Sequence, residues 1–105
     1  MANKYMIVLF NLADGQNEED FTAWMKANDI PVASGLPSVL EYNLVKTVGM
    51  MGGDGDPPYS HMEIIRVSDF DALGKDAEGE AIQKVGAQFQ TKVKDAVWLF
   101  VDQVG

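Results

Sequence analysis

A chain of 105 residues, 47% of them apolar, has room for one hydrophobic core, so a single domain over residues 1–105 is expected. Sixteen acidic residues against eight basic ones give a net charge of -8, which repels phosphate backbones and anionic lipid and speaks against nucleic-acid and membrane-surface roles. The absence of cysteine removes disulfides, thiolate catalysis and thiolate metal sites, and is compatible with a reducing cytosol.

The segment Met1-Ala2-Asn3-Lys4 lacks the build of a signal peptide, because Tyr5 to Leu12 already alternates as a strand. The longest apolar run, Met6 to Phe10, is far too short to span a bilayer, and a cytoplasmic location is expected. Lys4 to Leu12 is the first predicted strand. Met6, Val8, Phe10 and Leu12 form an apolar face, and Tyr5, Ile7, Leu9 and Asn11 a mixed one. Asp14-Gly15 turns the chain, and Asn17 caps a helix that opens with Glu18, Glu19 and Asp20. Phe21, Trp24, Met25 and Asn28 fall at helical spacing, so the helix buries Phe21 and either Trp24 or Met25, and Ile30-Pro31 should end it.

Ser38 to Val48 is the second predicted strand, with Leu40, Tyr42 and Leu44 on one face and Glu41, Asn43 and Thr47 on the other. Gly49 to Pro58 is too rich in Gly and Pro for regular structure and reads as a lid or mouth. Tyr59 to Val67 is the third strand and carries the single histidine and the single arginine. Ser68 and Asp71 form a capping box for a second helical region, which Gly74 and Gly79 divide. Its longer piece shows a stripe of Ile82, Val85, Gly86, Phe89 and Val93. Ala96 to Val104 is the fourth strand, with Val97, Leu99 and Val101 alternating against Trp98, Phe100 and Asp102.

This order, β-α-β twice, predicts an α+β fold: a ferredoxin-like βαββαβ domain with a four-stranded antiparallel sheet and both helices on one face. In the strand order 4-1-3-2, strands one and three are expected side by side and parallel. The helix-facing set is expected to be Met6/Val8/Phe10, Met62/Ile64 and Val97/Leu99/Val101. The other face would carry Tyr5, Ile7, Leu9, Asn11, His61, Glu63, Ile65, Trp98, Phe100 and Asp102, too apolar for water. A second copy of the sheet would cover it and enclose a cavity, giving a homodimeric α/β barrel.

The segments Lys4–Leu12, Tyr59–Val67 with Asp69-Phe70-Asp71-Ala72-Leu73, and Val97–Val101 resemble the dimeric α/β-barrel superfamily. Within it they resemble the RedY-like, HapK-type proteins found with prodiginine (prodigiosin-type) pigment biosynthesis. The resemblance covers essentially the whole chain. It implies work on small aromatic, pyrrole-type intermediates of a red pigment, on a scaffold that also serves cofactor-free monooxygenases and polyketide cyclases.

For the chemistry, His61 and Glu63 lie two residues apart on a strand, with Cα atoms roughly 6.5 Å apart on one face. His61 is the candidate general acid/base and Glu63 the carboxylate that orients it. Parallel pairing would bring Tyr5 beside His61, with Asp102 at the same level and Asn11 and Trp98 at the other end. Tyr5 and Asn11 then read as substrate positioners, and Trp98 and Phe100 as stacking surfaces for a flat ring. One histidine without cysteine builds no zinc site, and Asp54-Gly55-Asp56 lacks the spaced ligands of a calcium loop, so neither metal nor cofactor is expected. Three readings stay open: acid/base cyclisation, condensation or dehydration; cofactor-independent oxygenation; and sheltering of a hydrophobic intermediate without turnover.

Overall fold

A computed structural model describes residues 2–105. The alternating segment Lys4–Leu12 forms β1, flanked in the sheet by β3 (His61–Val67) and β4 (Val93–Asp102), with β2 (Val39–Lys46) at the far edge. The sheet order is β2-β3-β1-β4 and every neighbouring pair is antiparallel, as in a ferredoxin-like α+β fold. The expected strand order holds.

Between β1 and β2 run α1 (Glu18–Trp24), a π-helical turn over Met25–Asp29, and α2 (Ile30–Ser34), without a break. Asn17 caps α1 as expected, its side chain accepting the Asp20 N–H at 3.0 Å. Pro31, however, does not end the helix. The Ile30 N–H reaches back five residues to the Met25 carbonyl, and that wider turn just ahead of the proline gives its ring room in the first turn of α2. After β3 come α3 (Phe70–Asp76) and α4 (Glu80–Lys92). The cap of α3 is Asp69, which accepts the Ala72 N–H at 2.7 Å, and not Ser68. Gly74 lies inside α3, so the division falls at Gly79, the N-cap of α4.

The helices share one side of the sheet. Phe21, Met25 and Phe89 pack with Val8 and Phe10, and Leu73 packs with Ile65 and Val67. Of the two candidates for burial beside Phe21, Met25 is the fully buried one, and Trp24 packs at the margin.

Three expectations about the sheet are corrected. First, β1 and β3 are antiparallel, so Phe10 lies opposite His61, and Tyr5 lies opposite Arg66. A β-α-β crossover leaves β2 parallel to β1, and the hairpin to β3 then reverses direction. Second, the buried side of β3 is His61, Glu63, Ile65 and Val67, whereas Met62 and Ile64 face away from the helices. Opposed residues share a face, and Val8 and Phe10, opposite Glu63 and His61, are fully buried. Third, β4 turns Trp98 and Phe100 to the helix side, opposite Val8 and Met6. The cause is a bulge. Val93 begins β4 facing the core, but between Leu9 and Asn11 the register slips at Asp95, whose φ of 58° is left-handed. One extra residue reverses the parity of everything after it.

The outer face of the sheet therefore presents Ile7 and Leu9 of β1, as expected, with Met62, Ile64, Val97 and Leu99 in place of the expected residues of β3 and β4, and it is still largely apolar. The 49–58 loop is tied at its base, where the Thr47 hydroxyl donates to the Tyr59 carbonyl at 2.8 Å.

Candidate active site

The helices cover the sheet unevenly. Near the β2–β3 end they close on it, but over β4 they leave Trp98 50% and Phe100 64% exposed. Between the sheet and α2, α3 and α4 lies a cleft of about 250 Å³. Its walls are almost wholly apolar, with Met6, Leu36, Ile65, Phe89 and Trp98 among them, and its lining contains no Lys, Arg or His. Three polar side chains reach it: Asp29, Tyr42 and Glu63.

Each arrives from a different element. Tyr42 stands on the helix-facing side of β2, opposite Ile65. Glu63 is the buried central residue of β3, only 3% exposed. Asp29 closes the π-helical turn, 8% exposed. The Tyr42 hydroxyl lies 2.6 Å from Glu63 Oε1 and 3.2 Å from Asp29 Oδ1. A phenol carries one proton and can donate to only one of two carboxylates. The other contact is a hydrogen bond only if a carboxyl proton supplies it. With one carboxyl protonated and the other ionised, both contacts are hydrogen bonds and the three groups can share that proton.

The electrostatics agree. Burial pushes the Glu63 carboxyl up to about 7, with the Asp29 charge adding to the rise and the Tyr42 hydroxyl opposing it. Burial likewise raises Asp29 to about 6, again against the Tyr42 hydrogen bond. Tyr42 itself is held well above the ordinary phenol range, first by burial and then by the two carboxylates, so it stays protonated. An apolar cleft with a carboxyl titrating near neutrality can both give and take a proton.

The sequence-predicted residues divide. Glu63, Trp98 and Phe100 meet at this cleft, which lies between sheet and helices and not between two sheets. His61 does not reach it. It is buried on the helix side, stacked on Phe10 and edge-on to Phe21 with centroids 5.5 Å away in each case. Its Nδ1 lies 2.7 Å from the Ser60 hydroxyl and its Nε2 3.6 Å from Glu18 Oε1, and burial holds its pKa below the usual 6.5. Glu63 has Tyr42, and not His61, as its partner.

Tyr5 is on the outer face, opposite Arg66 and Val101. Asn11 is a structural clamp: its Nδ2 donates to the Pro58 carbonyl at 3.0 Å and to Asp95 at 3.3 Å, while its Oδ1 accepts the Ser60 N–H at 2.8 Å. Asp102 is exposed and pairs with Lys4 at 2.8 Å. The 49–58 loop contributes no residue to the cleft.

Asp29 and Tyr42 were not singled out from sequence. A signal for Asp29 existed. Phe21, Met25 and Asp29 follow at four-residue spacing, which places a carboxylate on the buried stripe of the helix. Among the described residues no group of three His, Cys, Asp or Glu side chains is gathered as a metal ion would need. No helix among the described residues is long and apolar enough to cross a membrane.

Several solved structures share this architecture. HapK from Hahella chejuensis is similar over 97% of this chain and 93% of its own, at 22% identity and a TM-score of 0.78. A DABB-family protein with a ferredoxin-like fold from Mesorhizobium loti is similar over the full length of both chains, at 10% identity and a TM-score of 0.76. A dimeric ferredoxin-like protein of unknown function from Thermobifida fusca covers 97% of this chain and 92% of its own, at 14% identity and a TM-score of 0.74. At these identities the likeness is one of fold. No curated protein matches the sequence. The sequence model of the REDY-like protein HapK family matches residues 4–104, and the chain belongs to that family.

Proposed function

We propose that this protein is a cofactor-free acid/base enzyme of prodiginine-type pigment biosynthesis. It acts by cyclisation, condensation or dehydration on a small aromatic, pyrrole-containing intermediate held between the sheet and the helices. The observation that carries this reading is the Asp29–Tyr42–Glu63 group inside an apolar cleft. Family membership supports the pathway, and the exposed faces of Trp98 and Phe100 suit a flat ring. Glu63 exchanges the proton with substrate, and Tyr42 and Asp29 adjust its charge. Such chemistry needs desolvation and proton transfer.

Incubation with bipyrrole precursors, read by mass spectrometry, tests the proposal. Loss of water or joining of two precursors supports it, and gain of oxygen with oxygen uptake would support the monooxygenase reading instead. Glu63→Gln should lower the rate by roughly 10² to 10⁴. The profile of kcat/KM against pH should break near 6 and 7, the values to which Asp29 and Glu63 are raised.

A carrier is the second reading, favoured by the exposure of Trp98 and Phe100 at the cleft. Binding without turnover, unchanged in Glu63→Gln, would establish it. We further propose a homodimer, in keeping with the dimeric relative from Thermobifida fusca, and place its interface on the apolar outer faces of the sheets. A monomer by light scattering at micromolar concentration would refute that.

A further inference from the structure

Gly86 stands where an amphipathic helix ordinarily buries an apolar side chain. On α4 it lies four residues after Ile82 and three before Phe89, in the middle of the core-facing stripe, and next to buried Val85. Glycine inside a helix is unfavourable relative to alanine. A close approach of another backbone would explain it, but none is present: a Cβ built on Gly86 meets nothing within 4 Å. The space beside it is the cleft, which Gly86 lines. Gly74, on α3, lines the cleft as well and has the same freedom. Packing therefore requires neither glycine. What both do is keep the space between α3, α4 and β4 open over the exposed rings of Trp98 and Phe100.

We infer that Gly86, with Gly74 at the rim, determines substrate size, holding the cleft wide enough for a two-ring aromatic. The inference rests on the reading of this cleft as the substrate site. Its volume, about 250 Å³, exceeds the roughly 150 Å³ of an apolar cavity known to take benzene, so one ring would fill it incompletely. With Asp29 and Glu63 the acidic residues of a lining that holds no Lys, Arg or His, the ring system is neutral or cationic and presents a donor to the carboxyl groups. Anionic ligands such as phosphate esters are disfavoured.

The test uses two neutral probes that differ by one ring, phenol and 2-naphthol, titrated calorimetrically into the wild type, Gly86→Ala and Gly86→Leu near pH 6. The wild type should bind 2-naphthol about ten-fold or more tightly than phenol. Gly86→Leu should weaken 2-naphthol about ten-fold or more and change phenol by less than about three-fold. Gly86→Ala, which adds one carbon in open space, should move both affinities in the same order by less. It should also raise the melting temperature by roughly 2–6 °C, because alanine favours the helix. Equal loss of both probes, or no loss of either, would overturn the inference and leave the cleft as a binding site. Failure of the wild type to bind either probe would overturn both the inference and the reading beneath it.

Discussion

Replacing Glu63 by Gln keeps the shape of the side chain and an oxygen to accept from Tyr42, while removing its titration. Burial lifts the folded-state carboxyl from 4.5 to about 7. The unfolded chain ionises at the ordinary value, so across this window the folded protein holds a proton that the unfolded one has released. Stability then falls as pH rises: nothing is lost below about 4.5, and the whole loss is present above about 7. At about 1.4 kcal/mol per pKa unit, the loss is about 3 kcal/mol. The Gln variant lacks it. Its stability relative to the wild type should therefore rise by about 3 kcal/mol between about pH 4.5 and about pH 7.5. Asp29, raised from 3.8 to about 6, has a slope of the same sign, and His61, lowered from 6.5, loses stability toward acid. His61 is present in each protein and cancels in the difference, and the burial that raises Asp29 is common to both. Urea denaturation followed by tryptophan fluorescence at a series of pH values measures it. A difference constant to within about 1 kcal/mol would refute the buried, titrating Glu63.

His61→Ala should cost about 2–4 kcal/mol by emptying the space between Phe10 and Phe21, yet lower turnover far less than Glu63→Gln; equal loss in the two variants would return His61 to the chemistry. Asn11→Ala should destabilise by about 1–3 kcal/mol, since the Ser60 N–H and the Asp95 bulge lose their shared partner, with 2-naphthol affinity unchanged. Asp102→Ala should shift stability by less than about 1 kcal/mol, because its pair with Lys4 is at the surface; a larger loss in thermal melts would contradict that placement.

Element order, strand periodicity and local composition were enough for the ferredoxin-like fold, the strand order, the helix cap at Asn17 and the break at Gly79. The antiparallel β1–β3 pairing was also available from the order, since one crossover and one hairpin reverse the third strand relative to the first. Which face of each strand meets the helices was not. In β3 the set His61, Glu63, Ile65, Val67 and the set Met62, Ile64 are both apolar enough to bury once His61 and Glu63 find hydrogen-bond partners. Alternation says only that the two sets lie on opposite faces, and pairing with Val8 and Phe10 makes the choice. In β4 the choice turns on a single residue, because Asp95 in its left-handed conformation reverses every side chain after it.

The site followed from those choices. Glu63, Trp98 and Phe100 were recognisable as residues with unusual chemistry, but only the tertiary structure put them on the helix side. There they meet two partners far away in sequence, Tyr42 on the edge strand and Asp29 in a π-helical turn of the helix that Ile30-Pro31 was expected to end. Hydrogen bonding among three such groups depends on distances of about an oxygen's width, and periodicity carries no information at that scale. It is set by the register of β2 on β3 and by the turn that aims Asp29 inward.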